Sequence, residues 1–78
     1  MVKENKLRPK EILWTGERIR TLRQRLNLTQ KELAAEMGTR QQTISEWENN
    51  MYQPRGTSAK LLTIIAERSN IKYDDSLE

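Results

Sequence analysis

Residues 29–50 of the chain read TQKELAAEMGTRQQTISEWENN, and this stretch decides the fold. Thr29 and Glu32 have the Thr-x-x-Glu spacing of a capping box, whose side chains bond the first backbone N–H groups of a helix. Gly38 stands where such a helix would end, because glycine adopts the left-handed conformation without strain. The pattern predicts a helix between Thr29 and Gly38. Its buried face is formed by Leu33, Ala34 and Met37.

A second helix is predicted directly after this glycine, over about Arg40–Glu48. Ile44 and Trp47 are three residues apart, so they share one face and are expected to anchor the helix in the core. Thr39 and Gln42 repeat the capping-box spacing, which makes Thr39 a candidate cap of this helix. Two short helices joined by a tight turn are the physical core of a helix-turn-helix.

A further helix is predicted before this pair, over about Gly16–Leu26. Thr15 is a good N-cap residue, and Trp14 and Ile19 stand at the spacing of a hydrophobic staple. Asn27 follows the last apolar position, and asparagine tolerates the left-handed conformation in which many helices end.

A fourth helix is predicted after a loop over residues 49–56 that contains proline and glycine. Thr57 or Ser58 is expected to cap it, and it ends at residues 69–70. Its apolar residues cover a wide face, which indicates deep burial or contact with a partner. Residues 71–78 leave room for one further short turn or an extended segment. The predicted class is therefore all-α, with four or five helices and no strand.

The length of 78 residues allows at most one domain, which we place at residues 12–71 between a basic leader (1–11) and a short acidic tail (72–78). The net charge of +3 is unevenly distributed. Residues 1–25 hold eight Lys or Arg against three Glu, whereas residues 67–78 hold two basic and four acidic groups. A basic end suits an anionic partner such as nucleic acid, and it is equally compatible with a solvated tail.

The composition speaks against catalysis, metal binding and membrane insertion. Cys and His are both absent, which removes disulfides, thiolate metal sites and the commonest general base. We therefore expect no enzyme activity, no metal and no cofactor. A cluster of Asp74, Asp75 and Glu78 is the remaining candidate metal site, although acidic tails are usually solvated. No apolar run has the length of a membrane span and no signal peptide is recognisable, so we expect a cytoplasmic protein that does not bind membranes.

The stretch 29–50 resembles the helix-turn-helix of the lambda-repressor-like family, also called Cro/C1 or Xre, and the resemblance extends over roughly residues 16–69. It implies a compact domain of four or five helices whose second motif helix enters the major groove of double-stranded DNA. Dimers of this family bind pseudo-palindromic operators with half-sites about one helical turn apart. The motif residues in place are Thr29, Gln30, Ala34, Gly38, Ile44, Trp47 and Glu48.

Four residues of the second motif helix are expected to face bases. The resemblance implies base contacts for Gln41, Gln42 and Glu46, and the helical step turns Ser45 outward beside them. A glutamine amide can pair with adenine N6 and N7 together, and a glutamate can accept from cytosine N4. Because its carboxylate is repelled by phosphates, Glu46 can instead act by excluding wrong bases.

A second group of residues is expected to contact DNA phosphates. The resemblance places Gln30 at a phosphate, and it places Arg55 and Lys60 on the backbone after the recognition helix. Arg40 departs from the family pattern, which favours a small hydroxyl residue there, and a cation at a helix N-terminus opposes the helix dipole. We interpret Arg40 as a phosphate contact, the alternative being that Thr39 caps the helix and the Arg40 side chain points to solvent. The complete set is Gln30, Arg40, Thr43, Asn50, Arg55 and Lys60.

Two predictions concern structure rather than DNA. The family often pairs an arginine of its first helix with a glutamate that closes the recognition helix, so we predict an ion pair between Arg23 and Glu48. Trp47 is expected in the core. Trp14 is either a structural staple or, with Ile12 and Leu13, part of an exposed protein-binding patch.

Three functions remain open. The first is a sequence-specific transcriptional regulator, most simply a repressor, that binds DNA as a weak homodimer or as a dimer formed only on DNA. The second is a DNA-binding antitoxin of a type II toxin–antitoxin operon. Residues 14–20, 47–48 and 54–62 also resemble antitoxins of this kind. In that case residues 12–14 would face a toxin or a second copy of the chain. The third is a protein-interaction module that has lost DNA binding, against which the glutamines and Arg55 speak. A neighbouring gene for a toxin would distinguish the second.

Overall fold

The computed structural model describes residues 13–69, and this part of the chain contains four α-helices and no strand. The predicted all-α class is therefore confirmed. The leader, the tail, Ile12 and the acidic cluster at Asp74, Asp75 and Glu78 lie outside the described residues. The helices are α1 (Gly16–Arg25), α2 (Gln30–Met37), α3 (Gln41–Glu48) and α4 (Gly56–Arg68).

The first helix begins and ends as the sequence predicts, to within one residue. The Thr15 hydroxyl accepts a hydrogen bond from the Arg18 backbone N–H at 3.2 Å, which is the bond of an N-cap. At the other end Leu26 is the C-cap, and Asn27 has a left-handed φ of 60°. The Leu28 N–H then reaches back to the Arg23 carbonyl, so the chain leaves α1 in a closed turn.

The α2–α3 turn confirms the central prediction from the sequence. Thr29 accepts from the Glu32 N–H at 3.0 Å, and the Glu32 carboxylate accepts from the Thr29 N–H at 2.8 Å, which completes the capping box. Gly38 is left-handed at φ 72°, and the Thr39 N–H donates to the Ala34 carbonyl at 2.9 Å. This bond closes α2 and sends the chain directly into α3.

The predicted caps of the last two helices are wrong. Arg40, not Thr39, is the N-cap of α3, because the Thr39 backbone is already held in the turn that closes α2. Arg55 is the N-cap of α4, and its carbonyl accepts the first helical bond from Ala59 at 2.8 Å. Thr57 and Ser58 consequently lie inside the helix instead of capping it.

Side chains from all four helices meet in one core, joined by a tryptophan that precedes α1. Trp14 is buried, and its indole N–H donates to the Thr63 hydroxyl at 3.0 Å on α4. Trp14 is thus part of the core and does not belong to an exposed protein-binding patch. The small side chain of Ala34 lets α2 and α3 pack closely. The buried apolar residues are Trp14, Ile19, Leu22, Leu33, Ala34, Ile44, Trp47, Leu62, Ile65 and Ala66.

The start of α1 lies directly against the end of α3. The Gly16 N–H donates to the side-chain oxygen of Asn50 at 3.0 Å, and Asn50 itself is left-handed at φ 59°. A Cβ added at Gly16 would stand 2.5 Å from the Glu48 carbonyl oxygen and 2.7 Å from that of Trp47. Only glycine fits this contact, which brings the positive end of one helix dipole to the negative end of the other.

Candidate nucleic-acid interface

The two sides of α3 have opposite roles. Ile44 and Trp47 are buried on the inner side, so they fix the helix on the domain. Gln41 and Gln42 are exposed at its leading end, and Ser45 and Glu46 are half-buried further along. The structure thus brings the four residues that were predicted to face bases together on the side of α3 that remains accessible.

Two of these four residues are bonded to each other. The Gln42 amide nitrogen donates to the Glu46 Oε2 atom at 3.1 Å, across one turn of α3. Residues four apart on a helix are neighbours on its surface, so this bond needs no contact with another element.

A buried carboxylate holds the other end of α3. The Glu48 side chain is only 1% exposed, and Arg23 donates to both of its oxygens, from Nε at 2.7 Å and from Nη2 at 3.1 Å. This two-pronged arrangement is the strong form of an arginine–carboxylate pair. Arg23 and Glu48 are therefore paired as the resemblance implied.

Two further side chains complete the surroundings of this carboxylate. The Gln30 amide nitrogen donates to Glu48 Oε1 at 3.1 Å, and Arg20 Nε lies 3.5 Å from the same oxygen. The Arg23 Nη1 also donates to the Leu28 carbonyl at 3.2 Å. A single carboxylate thus links α1, α2 and the end of α3. We had not predicted the contribution of Arg20, although its position one turn before Arg23 is a signal for it.

The ionisation of Glu48 depends on these partners. Burial alone would raise the pKa of the Glu48 carboxyl, but the hydrogen bonds from Arg23 and Gln30 and the positive charge of Arg23 outweigh it. The pKa of Glu48 consequently lies below its ordinary value. The same hydrogen bond raises the pKa of Arg23. Both groups are charged wherever the domain is folded at neutral pH.

Gln30 and Asn50, predicted as phosphate contacts, both have structural partners. The Gln30 amide nitrogen bonds Glu48, and the Asn50 oxygen accepts from Gly16. An amide nitrogen carries two N–H groups, so each side chain keeps a donor beyond these bonds. Sequence reasoning missed both partners because they are 18 and 34 residues away along the chain.

The remaining predicted phosphate contacts include two exposed arginines at helix starts. Arg40 and Arg55 are the N-cap residues of α3 and α4, and neither helix start has a side-chain cap or an acidic residue in its first turn. By contrast, threonine hydroxyls cap α1 and α2, each with a glutamate in the first turn. The free N–H groups of α3 and α4 therefore remain available to an anion. Lys60 is exposed on α4, and Thr43 is half-buried on α3.

Residues 13–69 contain neither a metal-binding cluster nor a membrane-crossing helix. No group of His, Cys, Asp and Glu in this part of the chain has the arrangement of a metal site. None of its helices combines the length and the apolar character that crossing a membrane requires.

The comparisons with known proteins agree with this geometry. A family model described as helix-turn-helix matches residues 19–71. An uncharacterized HTH-type transcriptional regulator from Archaeoglobus fulgidus is 41% identical over 58 residues, which cover 74% of this chain and 78% of that protein. No solved structure gives a significant match. The family model covers more than half of the chain and includes the capping box, Gly38 and α3. The chain therefore belongs to the lambda-repressor-like (Cro/C1, Xre) helix-turn-helix family.

Proposed function

We propose that this protein is a sequence-specific DNA-binding transcriptional regulator that reads the major groove with α3 and acts as a repressor. One observation carries the proposal: Gln41 and Gln42 are exposed at the leading end of α3, while Ile44 and Trp47 hold the opposite side in the core. A rigid helix with amides on its accessible side is what direct reading of base edges requires.

The positions of two arginines support contacts to the DNA backbone. Arg40 and Arg55 each stand at an uncapped helix start, where free N–H groups and the helix dipole favour an anion. A cation at such a position is unfavourable by itself, and a phosphate would compensate both charges. The hydrogen bonds from Arg23 and Gln30 to Glu48 fix the end of α3 on the domain. Base contacts therefore need little further ordering of the helix.

Repression is the simplest regulatory effect of such a domain. A protein that covers an operator within a promoter excludes other proteins from the same DNA. The relative from Archaeoglobus fulgidus is named as a transcriptional regulator, which supports a role in transcription regulation. Binding as a homodimer would match two α3 helices to half-sites about one helical turn apart.

The proposal is tested by selecting bound duplexes from a random DNA library at moderate salt and sequencing them. We expect an enriched, two-fold symmetric motif whose spacing gives the distance between the two α3 helices. A folded protein that enriches no motif would contradict sequence-specific binding.

Replacing Gln42 with alanine is expected to relax the base preference at one position of each half-site. A good side-chain pair with a base contributes about 1–3 kcal/mol of discrimination, so the selectivity there should fall by about tenfold. Repeating the selection from the random DNA library with the Gln42→Ala protein measures this loss of selectivity. The exposed Gln24 of α1 provides the control, since Gln24→Ala should leave every position unchanged. Equal selectivity in both variants would remove Gln42 from the reading face.

Replacing Arg55 with alanine is expected to weaken binding to all sequences alike. The loss of one phosphate contact should reduce the slope of log affinity against log salt by about 1. DNA-binding titrations at several salt concentrations measure this slope. Arg68 is an exposed arginine at the opposite end of α4, about 20 Å away at 1.5 Å per residue, and Arg68→Ala is the control for net charge. Identical slopes in both variants would argue against a contact at Arg55.

The antitoxin hypothesis stays a prediction. Of the three residues expected to face a toxin or a second copy, Trp14 is buried in the core, and Leu13 is 60% exposed. Ile12 lies outside the described residues. A surface for a toxin would therefore have to be built around Leu13, without the indole ring.

A further inference from the structure

The hydrogen bond between Gln42 and Glu46 points to a positioning role for Glu46. We propose that Glu46 orients the Gln42 amide so that it selects adenine over guanine at one base pair. The inference rests on the proposed function, since it requires α3 in the major groove. It differs from an independent base contact of Glu46, because it makes the specificity of one residue depend on the other.

The two ends of the Gln42 amide differ in how they interact with the Glu46 carboxylate. The Gln42 amide nitrogen donates a hydrogen bond to Glu46 Oε2 at 3.1 Å. An ionised carboxylate can only accept hydrogen bonds. The opposite orientation would place the Gln42 carbonyl oxygen against the carboxylate, where two acceptors repel each other. Glu46 therefore selects one of the two possible orientations of the amide.

The hydrogen bond to Glu46 also determines which amide atoms of Gln42 remain for DNA. A glutamine amide has one carbonyl oxygen and two N–H groups. With one N–H bonded to Glu46, Gln42 presents one acceptor and one donor. Adenine presents the N6 donor and the N7 acceptor in the major groove, whereas guanine presents two acceptors, O6 and N7. The remaining atoms of Gln42 complement adenine and leave one acceptor of guanine without a partner.

The other side chains of α3 near Gln42 are not suited to this role. Ser45 lies three positions after Gln42, but a hydroxyl both donates and accepts, so it would not favour either amide orientation. Ile44 and Trp47 point into the core. Among the described side chains of α3, a carboxylate that faces Gln42 is provided by Glu46.

The size of the effect follows from preorganisation. Immobilising a flexible side chain on binding weakens the affinity by about two- to twelvefold, and a hydrogen bond already present in the free protein removes part of that loss. A bidentate pair with the correct base discriminates against the wrong base by about five- to 150-fold. We therefore expect an adenine-over-guanine preference of about tenfold in the natural protein, and about threefold without Glu46.

The test measures binding to duplexes that differ only at the base pair located by the Gln42→Ala selection. The proteins are the natural chain, Glu46→Ala, Glu46→Gln, Gln42→Ala and the double variant Gln42→Ala/Glu46→Ala. Glu67→Ala removes the same charge from an exposed position of α4 and is the control for net charge. Circular dichroism establishes that each variant is folded.

The expected result is that Glu46→Ala reduces the adenine preference at the Gln42 position, while Glu67→Ala does not. Glu46→Gln should retain an intermediate preference, because a second amide can still accept but can also donate. The double variant should be no less selective than Gln42→Ala alone, which is the non-additivity of coupled residues.

Two other results would be informative in different ways. If Glu46→Ala changed selectivity only at a neighbouring base pair, Glu46 would be an independent base contact and the inference would be wrong. If the natural chain were folded and showed no preference at any position, the proposed function itself would be overturned, and this inference with it.

Discussion

Replacing Glu48 with glutamine is expected to lower the free energy of unfolding by about 3 kcal/mol at pH 7. The substitution keeps the shape of the side chain but removes the charge that faces Arg23 at 2.7 Å and Arg20 at 3.5 Å. Removing one partner of a buried ion pair leaves the other without compensation. Because the cluster links α1, α2 and α3, the loss should affect the whole domain. Urea unfolding followed by circular dichroism measures it.

The effect of this substitution should depend on pH in a defined direction. Folding lowers the pKa of Glu48, so its ionised form stabilises the domain fully above the ordinary glutamate pKa of the unfolded chain. That stability is lost as the pH falls through the lower pKa of the folded state. The difference between the natural protein and Glu48→Gln should therefore shrink below about pH 4. Glu36→Gln, at an exposed position of α2, should change stability by less than about 0.5 kcal/mol. A pH-independent difference for Glu48→Gln would contradict the assigned ion pair.

Replacing Gly16 with alanine should destabilise the domain by about 3 kcal/mol. The added Cβ would meet the carbonyl oxygens of Trp47 and Glu48 at 2.7 and 2.5 Å, and backbone atoms cannot move aside as a flexible side chain can. The shift would also disturb the hydrogen bond between the Gly16 N–H and Asn50. For a domain of this size we expect a fall in melting temperature of about 15 °C.

The other two glycines are matched controls for this variant. Gly56 begins α4, and an added Cβ would have no atom within 4 Å, so Gly56→Ala should stabilise the domain by about 0.5 kcal/mol. Gly38 also has free space, but its φ of 72° makes Gly38→Ala unfavourable by about 1 kcal/mol. If Gly38→Ala cost more than Gly16→Ala, backbone conformation would outweigh the contact between α1 and α3.

Features that depend on neighbouring residues could be predicted from the sequence. The capping box of Thr29 and Glu32 and the left-handed turns at Asn27 and Gly38 each use residues within one helical turn, and the structure contains all of them. The core position of Trp47 followed from its spacing to Ile44. The pairing of Arg23 with Glu48 was available only through the resemblance, since 25 residues separate them.

Features that depend on the approach of distant segments could not be predicted in this way. Nothing in the local sequence indicates that Gly16 touches the end of α3, or that Asn50 accepts its N–H. The N-cap residues of α3 and α4 could not be predicted from the sequence for a related reason. A hydroxyl residue was preferred by type, whereas the path of the chain after α2 and after the 49–55 loop decided where each helix begins. The resulting arginine caps are the positions that we connect to phosphates.

The burial of both tryptophans gives the protein its own optical probes. The chain has two tryptophans, and each is less than a tenth exposed. Trp47 is part of α3, while Trp14 is tied to α4 through Thr63. With either one replaced by phenylalanine, the fluorescence of the other reports on one half of the domain without any attached dye. The surroundings of the recognition helix can thus be followed separately from those of α4.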